Sequence, residues 1–203
     1  MEKIATELGE SSTYIPNGLD FQAFGCDVPI SRRHRPHVAM LYHKLEWKGS
    51  SDGLQAMEIA RRALPGMAAT LFGVCPPPEN LASWVTYVRD PPQRQLRAIY
   101  NGATVFLAPS WAKGWPLPPA EAMMSAAALA CTDIGGHNEY AVHERNALLA
   151  PPHAPEALGA TLTRLLTDHT LRQSLAENAL RDISRFTWSA AVDKFEATLS
   201  APT

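Results

Sequence analysis

From His37 onward the sequence alternates between short apolar runs and segments with helical spacing, and this alternation limits the possible folds more than any other feature. The first apolar run, residues 37–42, has the length of a strand, and residues 50–64 then carry apolar side chains at helical intervals. Strands that alternate with helices across short loops form parallel βαβ units with right-handed crossovers. Because the apolar runs contain few polar residues, we expect the sheet to be covered on both faces.

The same pattern predicts the remaining elements. Strands are expected at residues 37–42, 68–74, 84–88, 104–108, 127–131 and 146–150. Helices are expected at residues 50–64 and 92–101, from Pro118 or Pro119, and from Pro155 to the end of the chain. The predicted fold class is α/β, a Rossmann-like doubly wound parallel sheet of about six strands with a helical C-terminal extension.

The pattern also divides the chain into three parts. Residues 1–36 are interpreted as an N-terminal segment and linker, residues 37–185 as the Rossmann-like domain, and residues 186–203 as a C-terminal helix. Within the first part, the basic stretch 31–36 favours a solvated connector over a binding patch.

Composition excludes several classes of protein. The chain has 203 residues, 46% of them hydrophobic, and a net charge of -2, which argues against disorder and against a dedicated nucleic-acid binder. No apolar run approaches the ~20 residues of a membrane helix, and the N-terminus lacks the apolar stretch of a signal peptide. Since Cys26, Cys75 and Cys131 are far apart and odd in number, we expect no disulfide framework and a reducing, cytoplasmic location.

Ligands of doubly wound sheets bind beyond the carboxyl ends of the strands, and the predicted loops there combine glycine with charge. The loop after the first strand holds His43 and Lys48-Gly49, and a lysine beside a glycine at a helix start can neutralise a phosphate. The loop after the fifth strand supplies Gly135 and Gly136, which allow close approach of backbone.

The loop after the fourth strand carries the most informative pattern. Gly114 permits close approach to a ligand, and the free N–H groups of the following helix suit a phosphate. Glu121, expected in the first turn of that helix, either accepts hydrogen bonds from ribose hydroxyls or only complements the helix dipole, and the residues alone leave both readings open. The three loops predict a phosphorylated ligand. Dinucleotide and Walker motifs and clustered metal ligands do not occur in the sequence, so no metal site is expected.

These segments resemble the C-terminal domain of glycosyltransferase family 4. The resemblance runs through residues 16–20, 48–49, 103–110, 114–123 and 133–140, and covers about residues 14–199. It implies one half of a GT-B fold, in which two Rossmann-like domains face each other across a cleft. It further implies that this half, residues 37–185, binds a nucleotide-diphosphate sugar, and that the sugar is transferred with retention of configuration and without a metal.

The resemblance assigns roles to individual residues. Lys48 would bind the diphosphate, and the backbone of Gly114 and Trp115 would approach the donor. Glu121 would bind the ribose and, with Lys113, is a catalytic candidate. The other donor-binding candidates are His43 and Gly49 after the first strand, Val88 and Arg89 near the base, and Gly135 and Gly136 at the border of the donor.

The sequence also departs from the family pattern. Family members carry a Glu-x7-Glu motif, and the position eight residues before Glu121 is Lys113, which reverses the charge expected near the transferred sugar. His43 stands where an arginine is usual, and Pro116 stands where a glycine is usual. These changes put catalysis of the usual kind in question.

The predicted function is the donor-binding, C-terminal half of a glycosyltransferase in glycan or cell-surface polysaccharide synthesis. Its partners would be a UDP- or GDP-sugar, a glycan or lipid-linked acceptor and an N-terminal GT-B domain, with no cofactor and no nucleic acid; peripheral membrane association of the full enzyme stays open. We expect the isolated chain to be inactive in transfer. The alternative is a non-catalytic or degenerate nucleotide-sugar-binding module that needs a partner domain, and a sugar-nucleotide epimerase is a third, less favoured reading.

Overall fold

The computed structural model describes residues 12–200, which contain a six-stranded parallel sheet with helices on both faces. The strands are β1 (His37–Leu41), β2 (Ala68–Gly73), β3 (Val85–Arg89), β4 (Val105–Ala108), β5 (Ala128–Thr132) and β6 (Leu148–Ala150). They lie in the order β3-β2-β1-β4-β5-β6. Strand β1 is therefore central, with β2 and β3 on one side of it and β4, β5 and β6 on the other, and the strand order reverses between β1 and β4. The predicted fold class is confirmed.

The helices follow the predicted alternation, with one addition. They are α1 (Ser50–Ala63), α2 (Gln93–Gly102), α3 (Leu117–Met124), α4 (Gly135–Asn138), α5 (Pro155–Thr167), α6 (His169–Ile183) and α7 (Trp188–Leu199), with short 3-10 helices at Ile30–Arg32 and Glu46–Lys48. The short helix α4 was not predicted, because four residues that include two glycines carry no helical periodicity. No helix between residues 12 and 200 combines the length and the apolar character that crossing a membrane requires.

The core consists of two apolar layers, one on each face of the sheet. Helices α1 and α5 pack together on one face, over strand residues such as Met40 and Leu107. Alternate strand residues such as Ala39 and Phe106 point to the other face, which α2 and α3 cover. Every residue of β4 and β5 is buried, as expected for central strands of a sheet covered on both sides.

The described part of the N-terminal segment packs against this second layer. Leu19 and Phe24 are buried there, and the Leu19 N–H donates to the carbonyl of Phe186, just before α7. The expected solvated connector at residues 31–36 is wrong for Arg33, whose buried guanidinium donates to main-chain carbonyls, among them that of Ala103 at 2.7 Å. A buried cation needs such acceptors, and only the fold brings them together. The three domain boundaries stay a prediction, and residues 1–11 and 201–203 of the outer parts lie outside the described residues.

Candidate functional site

The reversal of strand order between β1 and β4 places two loops side by side at the carboxyl edge of the sheet. These are the loop after β1, residues 42–49, and the loop after β4, residues 109–116. The Trp111 N–H donates to the carbonyl of Trp47 at 2.8 Å, and the Trp111 indole N–H donates to Asp52 at 2.7 Å. The two loops are therefore fixed to each other at the position where ligands of such sheets bind.

Gly49 lies at the closest contact of these loops. Its φ is 61°, in the left-handed region, and a Cβ at this position would lie 2.0 Å from the Pro109 carbonyl oxygen. This contact and the left-handed conformation explain why a glycine stands here. The donor-binding role assigned to Gly49 from the sequence stays a prediction.

A small pocket with two lysines lies between these loops and the start of α3. Its walls are mostly apolar, and its basic side chains are Lys48, Lys113 and His137. Burial and the neighbouring Lys113 lower the pKa of Lys48 to about 8. Among the described residues that line the pocket none is acidic, so the structure itself supplies no counter-charge there. This arrangement favours an anionic ligand.

His137, on α4, is a site residue that sequence reasoning missed. Its side chain is fully buried, and its Nδ1 lies 2.8 Å from the carbonyl oxygen of Thr132, so that Nδ1 carries the proton. Its Nε2 has no hydrogen-bond partner. Burial, together with the charge of Lys113, lowers the pKa of His137 to about 4, although the hydrogen bond to Thr132 opposes this shift. The only signal in the sequence was its position directly after Gly135-Gly136.

His43 lies near the same lysines but lines a neighbouring cleft that includes Tyr42 and Trp111. The Leu45 N–H donates to its Nδ1 at 3.0 Å, so this nitrogen is an acceptor. Partial burial and then the charges of Lys48 and Lys113 lower the pKa of His43. These contacts favour the neutral ring in the free protein.

Glu121, on α3, contacts Tyr100 of the neighbouring helix α2. The Tyr100 hydroxyl donates to its Oε2 at 2.7 Å, and Tyr100 is itself fully buried in an aromatic cluster with Phe24, Phe72 and Phe106. Burial raises the pKa of Glu121, and the bond from Tyr100 partly opposes that shift. Because α3 begins at Leu117, Glu121 lies in the second turn, and its predicted place in the first turn is wrong. The helix dipole acts mainly within the first turn, so this position disfavours the dipole reading.

The other candidates of the β4 and β5 loops do not line this pocket. Gly114 is exposed, with no heavy atom within 4 Å of where its Cβ would lie. The ring of Trp115 packs at 5.0 Å from that of Tyr140, and its buried indole N–H has no partner. Gly135 is exposed, whereas a Cβ on Gly136 would lie 2.2 Å from the Lys113 carbonyl oxygen. Gly136 therefore allows α4, with its histidine, to lie directly against the Lys113 loop.

Val88 and Arg89 lie apart from this group. They end β3, the edge strand, which β2 separates from β1. Val88 is half-buried against the second core layer, and Arg89 is exposed. They share the carboxyl edge of the sheet with the pocket but do not line it.

A doubly wound parallel sheet with a cationic pocket beside its strand-order reversal defines the class: Rossmann-type α/β domains that hold ligands at this crevice. Residues 37–168 match the family described as Glycosyl transferases group 1, and the chain belongs to that family.

Several known proteins are similar to the chain. The D-inositol 3-phosphate glycosyltransferase of Corynebacterium diphtheriae is 28% identical over 118 residues, which span 58% of this chain and 28% of that protein. The structure of HepE from Anabaena in complex with UDP-glucose is similar over 98% of this chain and 61% of that one, with a TM-score of 0.81 and 18% identity.

A third similar protein is the C-terminal domain of the group 1 family protein LpcC from Francisella tularensis. Here the likeness covers 82% of this chain and 97% of that domain, with a TM-score of 0.71 and 19% identity. At these identities the likeness to the two solved structures shows the fold, and the match spans less than a third of the curated relative's length.

Proposed function

We propose that this chain is the donor-binding domain of a retaining family 4 glycosyltransferase with the GT-B architecture. The observation that carries the proposal is the pocket of Lys48, Lys113 and His137 at the strand-order reversal of a group 1 domain. The UDP-glucose bound to HepE, a protein of similar fold, supports a nucleotide-diphosphate sugar as the ligand.

In the proposed reaction the bond between the sugar and the diphosphate breaks, and a bond from the sugar to an acceptor hydroxyl forms. The hydroxyl proton passes to an oxygen of the departing diphosphate, on which negative charge develops as the bond breaks. Lys48, Lys113 and the N–H of Leu117, the one free N–H in the proline-containing first turn of α3, would stabilise that charge. These groups belong to the chain itself, which is the basis for proposing a reaction without a metal or a further cofactor.

Other residues would position the donor. Glu121, held by Tyr100, would accept hydrogen bonds from the ribose hydroxyls. The backbone of Gly114 and Trp115 would lie along the donor. His43, Gly135 and Gly136 would border it, and Val88 and Arg89 would contact the base from the end of β3.

The acceptor and the rest of the cleft would come from a second, N-terminal Rossmann-like domain. The chain spans only part of HepE and of the curated relative, which supports this proposal. The acceptor would be a glycan or a lipid-linked sugar, in glycan or cell-surface polysaccharide synthesis. We expect the isolated chain to bind donor without transferring its sugar.

The position of Lys113 favours a second candidate, a degenerate module that binds a nucleotide sugar without catalysis. In an enzyme reconstituted with an N-terminal domain, Lys113→Glu should then raise transfer or donor hydrolysis. If the native lysine is required for transfer, the degenerate-site candidate fails.

The donor-binding proposal is tested by isothermal titration of the chain with UDP, GDP and ADP. We expect one of them to bind, and Lys48→Ala to weaken that binding about tenfold through loss of a charge-assisted contact. Lys44→Ala is the matched control, because Lys44 lies exposed in the same loop and outside the pocket. A folded sample that binds none of the three would refute the proposal.

A further inference from the structure

A buried nitrogen that can only accept a hydrogen bond lies in the wall of the pocket between the β1 and β4 loops. His137 lines this pocket with Lys48 and Lys113, and no residue in the described part of the chain hydrogen-bonds to its Nε2. The Thr132 carbonyl, 2.8 Å from Nδ1, can only accept, so Nδ1 carries the proton and Nε2 the free lone pair. Because burial and the charge of Lys113 lower the pKa of this ring to about 4, it is neutral near pH 7.

The histidine is held in this orientation by its surroundings. Its Nδ1 is bonded to the Thr132 carbonyl, and the Thr132 hydroxyl donates in turn to the carbonyl of Ser110 in the β4 loop. The backbone of Gly136 lies directly against the carbonyl of Lys113. Since a buried acceptor without a partner is unfavourable, Nε2 indicates a ligand atom that donates a hydrogen bond at this wall.

The two lysines and Nε2 require different parts of one ligand. Lys48 and Lys113 suit the two negative charges of a diphosphate, but the phosphates of a nucleotide sugar carry no proton near pH 7 and cannot donate to Nε2. In the proposed complex the ribose hydroxyls belong to Glu121, which does not line this pocket. The donating group that remains beside the diphosphate is a hydroxyl of the transferred sugar.

We propose that Nε2 of His137 accepts a hydrogen bond from one hydroxyl of the donor sugar, and so selects donors that carry this hydroxyl over their deoxy counterparts. This inference rests on the proposed function and adds a specificity-determining residue to it. Lys48 and Lys113 keep their role toward the phosphates.

The side chain of Lys113 controls access to this nitrogen. Nε2 is buried in the free protein, so a neighbour must move before a hydroxyl reaches it. The described residues that line the pocket are mostly strand residues and prolines, whose conformations are restricted. Lys113 has a flexible side chain, is half-buried and lies close enough for its charge to act on the imidazole. Turning its ammonium toward the diphosphate pairs the charge and opens the way to Nε2.

The test measures, by isothermal titration, the affinities of UDP-glucose and of its monodeoxy analogues at the 2, 3, 4 and 6 positions. We expect one analogue to bind the wild-type chain at least tenfold more weakly than UDP-glucose, because it leaves the buried nitrogen unpaired. If GDP is the tighter nucleotide, GDP-mannose and its monodeoxy analogues replace this set.

Variants of His137 assign the discrimination to its Nε2. His137→Asn keeps a donor for the Thr132 carbonyl but has no acceptor at the position of Nε2, so the ratio of the two affinities should be close to one. His137→Gln, whose longer side chain brings its amide to that position, should restore part of the ratio. His34→Asn is the matched control and should leave the ratio unchanged, because His34 is exposed and lies outside the pocket. A ratio that persists in His137→Asn would overturn the proposal.

Nitrogen-15 spectra of the wild-type chain give a readout that needs no variant and that a purely structural role would not move. A bare imidazole nitrogen resonates at higher field when it accepts a hydrogen bond, so the Nε2 signal of His137 should move upfield on saturation with UDP-glucose and not with UDP. A signal that UDP-glucose does not move, or equal affinities for UDP-glucose and all its monodeoxy analogues, would overturn this inference and leave donor binding intact. No binding of UDP or GDP would overturn both.

Discussion

At the scale of single residues, the charge of Lys48 is set by its neighbours. Its pKa is lowered to about 8 by burial and by Lys113. The pKa values of His43 and His137 are lowered as well, first by burial and also by the charge of Lys113. As the pH rises through about 8, the free protein loses the Lys48 proton, whereas a bound anion retains it. Diphosphate affinity should therefore fall above that pH, and binding near it should take up protons.

This pH dependence is measured by titrating UDP into the chain in buffers of different ionisation enthalpy, from about pH 7 to about pH 9. Lys113→Gln removes one cause of the shift, so the fall in affinity should move to higher pH. Affinity that stays constant across this range in the wild-type chain would contradict the assignment of Lys48 to the diphosphate.

Glu121 gives a second prediction at this scale, because its carboxylate is placed by Tyr100. Glu121→Gln should weaken UDP binding about tenfold, through loss of a charge-assisted hydrogen bond to the ribose. The same substitution should barely change the affinity for 2′,3′-dideoxy-UDP, which lacks the hydroxyls. Glu58→Gln, on the exposed face of α1, is the control. Equal losses for both nucleotides would show that Glu121 acts only on the fold.

The sequence allowed some of these residues to be selected and not others. Lys48 and Glu121 could be selected from the sequence, because a lysine before a glycine and a glutamate after a proline-rich helix start are local patterns. The unpartnered nitrogen of His137 depends on Thr132 and on the approach of α4 to the Lys113 loop, which are tertiary contacts. For that reason His137 was not selected from the sequence.

At the scale of elements, the strands were predictable because central parallel strands are continuous apolar runs bounded by turns. The predicted and observed ends of the strands differ by one or two residues at most, a normal uncertainty. Helix α3 begins earlier than predicted, at Leu117, since Pro118 and Pro119 occupy its first turn rather than its first position. Because the helix begins earlier, Glu121 lies in its second turn, next to Tyr100, rather than in the N-terminal turn where the helix dipole acts.

The contact between the β1 and β4 loops makes a prediction about stability. Gly49→Ala places a methyl group against the Pro109 carbonyl at a positive φ, and should destabilise the fold by about 2 kcal/mol or more. For a chain of this size that corresponds to a melting temperature lower by roughly 4–8 °C. Gly66→Ala is the matched control, because its added Cβ meets no atom within 4 Å. Equal thermal melting of the two variants would show that the loops separate freely.

At the scale of the whole molecule, α7 carries an apolar face that the described residues do not cover. Trp188, Val192, Phe195 and Leu199 lie at helical spacing and are 61%, 47%, 52% and 70% exposed. The helix is tied to the N-terminal segment by the Leu19–Thr187 bridge and by a cation–π contact of Lys194 with Tyr14, on other positions of its surface. An apolar stripe of this kind on a folded domain marks an interaction surface.

We therefore expect the chain to self-associate through this stripe when no other protein covers it. Phe195→Glu places a charge at the middle of the stripe and should shift the weight-average mass in sedimentation equilibrium toward the monomer at about 100 μM chain, since a buried unpaired carboxylate opposes contact. Val142→Glu is the control, because Val142 is equally exposed, at 50%, but lies far along the chain from α7. Both variants should bind UDP as the wild-type chain does, since neither position lines the pocket. If the wild-type chain sediments as a monomer at that concentration, the stripe does not drive self-association; if Val142→Glu disperses the chain as well as Phe195→Glu, the interface lies elsewhere.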